Sequence, residues 1–120
     1  MTIDEFIQLK PYSLTHQEKA AAYTELLTER TAFHRNHCEP YGRLLKALGI
    51  PENAAFSAET APMLPVSVFK ELPLKSVPEE AVFKTLTSSG TTGQRVSQIY
   101  LDAETAANQQ QVLYRIIADF

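Results

Sequence analysis

The pattern of apolar and polar positions predicts helices over the first fifty residues. Ile3 to Leu9 form a short amphipathic segment that ends before Pro11. Thr15 precedes Glu18 by three residues, which is the spacing of a capping box, so a helix is expected to begin there and continue to about His37. Its apolar residues recur at irregular helical intervals: Ala22, Tyr23, Leu26, Leu27, Ala32 and Phe33.

A second helix is expected from Pro40 to Leu48, because proline suits a first helical turn and Gly49 followed by Pro51 predicts a stop. Residues 51–81 contain five of the seven prolines and predict a mostly extended connector with short strands or turns. Apolar and polar residues alternate around 66–72. There Ser67 and Lys70 are candidates to face a ligand, although such residues more often form a solvated face.

The last forty residues predict two strands and a helix. Apolar, β-prone runs at 82–86 and 96–101 lie on either side of a glycine-containing segment, and Asp102 suits the N-cap of a final helix. The apolar face of that helix comprises Ala106, Val112, Leu113, Ile116 and Ile117. The predicted class is α/β, or α+β for this chain in isolation, with a helical lead-in (1–50), a proline-rich connector (51–81) and a strand–glycine loop–strand–helix unit (82–120).

The segment between the two strands is the most distinctive feature of the sequence. We call it the hydroxyl–glycine loop, and its residues are Thr87, Ser88, Ser89, Gly90, Thr91, Thr92 and Gly93. Glycines let backbone N–H groups approach a ligand, and hydroxyls add further donors, which together suit phosphate oxygens. The spacing differs from Walker A and dinucleotide-binding loops. An ordinary hairpin turn is the alternative interpretation.

The hydroxyl–glycine loop resembles the phosphate-binding motif of the adenylate-forming superfamily. Residues 63–70 (Met-Leu-Pro-Val-Ser-Val-Phe-Lys) and 74–77 (Leu-Lys-Ser-Val) precede it, and 32–36 (Ala-Phe-His-Arg-Asn) with Tyr41 lie further upstream. This combination resembles the acyl-protein synthetase family, typified by the fatty-acid-activating subunit of the bacterial luminescence fatty acid reductase. The resemblance spans roughly residues 23–102.

The resemblance implies a two-step reaction. A fatty acid or other carboxylic acid attacks the α-phosphate of ATP to give an acyl-adenylate and pyrophosphate, and the acyl group then passes to a cysteine thiol. An acyl reductase is the implied acceptor, with coenzyme A or a carrier protein as alternatives. The loop would hold the β- and γ-phosphates, and Mg²⁺ would bind mainly through those phosphates.

The sequence departs from the superfamily pattern just after the loop. Many members carry a lysine shortly after the second glycine, whereas this chain has Gln94 and Arg95. Arg95 is a candidate for the positive charge that would face phosphate, although its planar guanidinium is not equivalent to an ammonium group. A solvated charge at the strand edge is the alternative.

Length and composition set the limits of this interpretation. Adenylate-forming ligases are far longer than these 120 residues, so the chain is expected to be an N-terminal fragment that lacks the later catalytic motifs and is inactive alone. Catalytic residues are therefore not assigned. A net charge of −3 argues against nucleic acid, no apolar run approaches the length of a membrane span, and the N-terminus lacks a signal-peptide layout. A cytoplasmic location is expected.

His34, His37 and Cys38 are spaced so that they share one face of a helix. Imidazole and thiolate are good zinc ligands, but a structural zinc site needs four ligands and the sequence offers no second cluster. No metal site is therefore predicted, and a packed or solvated helix end is the preferred interpretation. Cys38 also does not correspond to the late acyl-accepting cysteine of the family.

Two other functions remain open from the sequence. The alternatives to a part of a ligase are a non-catalytic nucleotide-binding remnant and a helical protein-interaction domain in which the glycine segment is only a turn. Residues 112–120 carry several apolar side chains, which predicts self-association of the isolated chain.

Overall fold

Capping boxes begin the first two helices of the computed structural model, which describes residues 1–88 and 95–120. Thr2 and Glu5 form one box at α1 (Ile3–Gln8), and Thr15 and Glu18 form the other at α2 (His16–His37). In each box the threonine hydroxyl accepts from the glutamate N–H, and the glutamate carboxylate accepts from the threonine N–H. The predicted start and end of α2 are confirmed, whereas the sequence analysis missed the first box.

Helix α3 (Glu39–Ala47) follows α2 after one residue and has proline in its first turn, as predicted. A Cβ added at Gly42 would lie 3.0 Å from the Arg35 carbonyl oxygen, so glycine permits the close approach of α3 to the end of α2. Gly49 ends the helix with a φ of 74°, a left-handed conformation that favours glycine. The Arg35 guanidinium donates to the carbonyls of Ile50 and Pro51, at 2.9 and 3.0 Å. These bonds tie the chain after α3 to α2.

The connector is more helical than expected. Residues 51–81, all of them described, contain no strand, but the expected turns are present, as where the Ala54 N–H donates to the Pro51 carbonyl at 3.3 Å. The chain instead forms the short helix α4 (Val68–Glu71) and a 3-10 helix at Glu79–Ala81. Backbone bonds explain the difference, since the Pro65 carbonyl accepts from the Val68 N–H at 3.0 Å and begins a turn before α4. The alternation around 66–72 therefore does not form a β-surface.

Two further side-chain contacts attach the connector to α2. The Phe56 N–H donates to the Thr28 hydroxyl at 2.9 Å, and Phe56 itself is buried. Further along, His34 Nδ1 lies 2.6 Å from the Ser76 hydroxyl. These contacts hold two separate points of the connector against the same long helix.

The predicted strands form an antiparallel pair, β1 (Lys84–Thr87) and β2 (Gln98–Leu101), each beginning two residues later than expected. Helix α5 (Ala103–Ala118) follows directly, with Asp102 accepting from the Thr105 N–H as its predicted N-cap. The described residues therefore form a mostly helical α+β structure, which is the class expected for this chain in isolation.

The hydrophobic core of the described residues is small. Its buried side chains are Ala22, Leu26, Cys38, Leu45, Phe56 and Leu101. The Arg115 guanidinium donates to the backbone carbonyl of Gln8 at 2.9 Å, which joins α5 to the end of α1. None of the helices in residues 1–88 and 95–120 combines the length and the apolar character needed to cross a membrane.

Candidate functional site

The two ends of the hydroxyl–glycine loop are fixed by the antiparallel strands. Thr87 is the last residue of β1 and lies opposite Gln98 in the register. One residue further, the Ser88 N–H donates to the Ser97 carbonyl at 3.0 Å, and the Ser97 N–H donates to the Ser88 hydroxyl oxygen at 2.9 Å. Ser97 is buried, so its N–H needs a protein partner. The strand pairing thus extends one step beyond β1 and defines the base of the loop.

Three of the eight predicted binding residues lie in the described part of the chain: Thr87, Ser88 and Arg95. The other five, Ser89, Gly90, Thr91, Thr92 and Gly93, lie outside the described residues. Thr87 and Ser88 are exposed where the chain enters the loop, and Arg95 is exposed where the chain leaves it. The strand pairing brings both ends of the loop to the same end of the sheet.

Arg95 is engaged by a carboxylate from the connector. Its Nη1 donates to Glu71 Oε2 at 2.9 Å, and Glu71 is the last residue of α4. Both side chains remain largely exposed, at 74% for Arg95 and 64% for Glu71. Arg95 was a candidate from the sequence but Glu71 was not, because 24 residues separate the two along the chain.

An open cleft of about 460 Å³ lies between α4 and β2, and we call it the α4–β2 cleft. Its lining combines apolar, aromatic and charged side chains: Phe69, Lys70, Glu71, Leu72, Pro73, Arg95, Val96, Gln98 and Tyr100. Lys70 was a sequence candidate and lies in this lining, whereas Ser67 does not. The cleft therefore presents an ammonium and a guanidinium group beside one carboxylate.

A second lysine lies close to the cleft. Lys75 forms an ion pair with Glu79, and its ammonium lies 5.1 Å from the centre of the Tyr100 ring. The hydrogen bond to Glu79 raises the pKa of Lys75, so the ammonium form is favoured. The Tyr100 hydroxyl in turn donates to Gln98 Oε1 at 2.6 Å. The sequence analysis did not select Tyr100, which has no distinguishing local motif.

The histidine–cysteine group has other partners. His34 Nδ1 contacts the Ser76 hydroxyl, and half-burial, followed by the charge of Arg30, lowers the pKa of His34. His37 donates from Nδ1 to the Phe33 carbonyl at 2.8 Å and stacks on the Phe33 ring. Cys38 is a buried free thiol. Across residues 1–88 and 95–120, no three His, Cys, Asp or Glu side chains are grouped in a way that suits a metal ion.

The described part of the site suits an anion. Hydroxyls of Thr87 and Ser88 supply donors at one end of the loop, and Arg95 supplies a guanidinium at the other. Lys70 adds an ammonium group in the neighbouring cleft. These groups are of the kinds that bind phosphate oxygens in proteins.

Comparison with known proteins identifies a family. The family model described as "LuxE: Acyl-protein synthetase, LuxE" matches residues 1–119, which is nearly the whole chain. Neither a curated protein nor a solved structure gave a significant match.

Proposed function

The chain belongs to the LuxE acyl-protein synthetase family, and on that premise we propose that it forms the ATP-phosphate-binding part of a ligase that activates a fatty acid. The family is ATP-dependent. In the proposed reaction, the carboxylate is converted to an acyl-adenylate and the acyl group then passes to a thiol. The family match carries this proposal, and the arrangement of residues around the loop supports it.

The chain's own residues have distinct parts in the proposal. Backbone N–H groups and hydroxyls of Ser89 to Gly93 would bind phosphate oxygens, with Thr87 and Ser88 adding donors at the base of the loop. Arg95 would face the same charge from the other strand. Donors placed where negative charge accumulates favour departure of pyrophosphate. Mg²⁺, bound through the phosphates, would neutralise part of that charge.

The setting follows from the same proposal. A fatty acid and ATP are the substrates, an acyl reductase or another thiol-bearing acceptor is the partner, and the cytoplasm supplies the nucleotide.

Nucleotide binding by the 120-residue chain tests the proposal directly. We expect amide NMR signals of Thr87, Ser88, Arg95 and residues 89–94 to shift saturably on addition of Mg²⁺-ATP. Signals of α1, which has no part in the proposed site, provide the internal control. Shifts that do not saturate, or that spread evenly over the chain, would contradict phosphate binding at this loop.

One observation favours a second function, a protein-interaction surface on α5. Leu113 and Ile117 lie one turn apart, are 58% and 63% exposed, and are followed by the fully exposed Phe120. Apolar surface of this kind is typical of a contact with another protein surface. The two functions are compatible, because α5 lies outside the lining of the α4–β2 cleft.

A further inference from the structure

Arg95 has an anionic partner within the chain itself. The bond from its Nη1 to Glu71 Oε2 measures 2.9 Å and crosses from the strand side of the α4–β2 cleft to α4. Glu71 has no sequence motif that relates it to the loop, and nothing in the family match assigns it a role. Its position nevertheless places a negatively charged carboxylate beside Arg95, the residue that would face phosphate.

The ion pair between Glu71 and Arg95 is weak enough for a ligand anion to replace the Glu71 carboxylate. Both side chains are mostly in solvent, and exposed pairs of this type stabilise proteins by at most about 1 kcal/mol. A nucleotide phosphate carries more charge than a carboxylate and can accept two parallel bonds from a guanidinium, whereas Glu71 accepts one bond from Arg95. The phosphate is thus the stronger partner, and Arg95 can change partners at low energetic cost.

Glu71 also weakens anion binding when Arg95 is bound to phosphate in place of the Glu71 carboxylate. Its carboxylate stays in the lining of the cleft and repels any anion bound there. Lys70, the preceding residue of α4, forms no ion pair with another residue in the described part of the chain, so its ammonium partly offsets that repulsion. Both effects of Glu71, its bond to Arg95 and its repulsion of anions, therefore weaken phosphate binding.

We propose that Glu71 competes with nucleotide phosphate for Arg95 and thereby lowers the affinity of the chain for ATP. The inference rests on the proposed function and deepens it, because it assigns a regulatory residue of the connector to the same site. Glu71 is a positioning residue that acts through Arg95. A lower affinity for phosphate also favours release of pyrophosphate after adenylation.

A double-mutant cycle on the full 120-residue chain tests this competition, with Mg²⁺-ATP as the probe and calorimetry as the measurement. We expect Glu71→Gln to tighten binding by up to about fivefold, which corresponds to about 1 kcal/mol. Arg95→Ala should weaken binding. In the Arg95→Ala background, Glu71→Gln should tighten binding less than it does alone, because the competition is then absent.

A matched control separates competition from net charge. Glu52→Gln removes the same charge at an exposed position outside the cleft lining and should leave the affinity unchanged. Equal tightening by both glutamine variants would overturn the inference, as would an effect of Glu71→Gln that is the same with and without Arg95. If the wild-type chain binds and Glu71→Gln does not tighten binding, the inference fails while the proposed function stands. If no variant binds Mg²⁺-ATP, both fail.

Discussion

Ser88 and Ser97 exchange two hydrogen bonds at the point where the strands separate into the loop. The Ser97 N–H donates to the Ser88 hydroxyl, and the Ser88 N–H donates to the Ser97 carbonyl. The hydroxyl oxygen of Ser88 thus has a structural partner, while its O–H remains able to donate to a ligand. One residue of the predicted binding motif therefore also holds the base of the loop.

Removal of the Ser88 hydroxyl tests this structural role. We expect Ser88→Ala to lower the free energy of unfolding by about 1 kcal/mol, because the buried Ser97 N–H loses its acceptor. Denaturant unfolding measures the change. Ser67→Ala is the matched control, since Ser67 is exposed and makes no capping bond at α4. Equal stability of both variants would show that the Ser88 bond contributes nothing.

Gly90 tests the proposed chemistry. The test uses a form of this protein that is active in adenylate formation. We expect Gly90→Val to reduce its carboxylate-dependent exchange of pyrophosphate into ATP by at least about a hundredfold. The reason is that a branched side chain keeps the backbone N–H donors away from the phosphates. The overall fold should persist. Thr85→Val, at an exposed position of β1, is the control. Unchanged exchange in the Gly90 variant would refute the assignment of the loop.

The capping box at α2 makes a local contribution to stability. Thr15→Ala removes the acceptor for the Glu18 N–H and should destabilise the chain by about 1 kcal/mol. Thermal unfolding followed by circular dichroism measures the loss. Thr15→Ser retains the hydroxyl and should behave like the wild type, so a similar loss in both variants would point to a different cause.

His34 predicts a pH dependence of stability. Its pKa is lowered in the folded chain by burial and by the nearby charges of Arg30 and His37, so the unfolded chain takes up the proton first. Stability should therefore fall as the pH drops below about 6.5, and this contribution levels off below the folded-state pKa. An NMR titration of the imidazole, paired with unfolding at each pH, measures both quantities. If the His34→Gln variant shows the same dependence of stability on pH as the wild type, that dependence comes from other groups.

The apolar surface of α5 predicts self-association. We expect sedimentation equilibrium to show dimers or larger species of the isolated chain at high concentration, and Leu113→Glu to weaken that association at least tenfold, a loss of about 1.4 kcal/mol. Gln111→Glu places the same charge on an exposed residue nearby and serves as the control. A wild-type chain that remains monomeric at every concentration would contradict the prediction.

The elements that sequence predicted well are those set by neighbouring residues. The start of α2 depends on a threonine and a glutamate three residues apart, and Asp102 caps α5 in the same local way. The two strands were expected because β-prone runs lie on either side of a turn-forming segment. The connector was predicted less well, since proline is compatible both with extended chain and with turns, such as the turn that begins at Pro65 and precedes α4.

The sequence by itself determined the N-caps of α2 and α5, the order of the longer helices and the two strands, and the resemblance that the family match bears out, because each of these depends on residues close together in the chain. The tertiary structure decided which distant side chains meet. Glu71 reaches Arg95 across 24 positions, and Ser76 reaches His34 across 42. Such contacts depend on how the connector packs against α2 and β2, and no local periodicity encodes that packing. The charge environment of the proposed phosphate site is therefore a property of the folded chain.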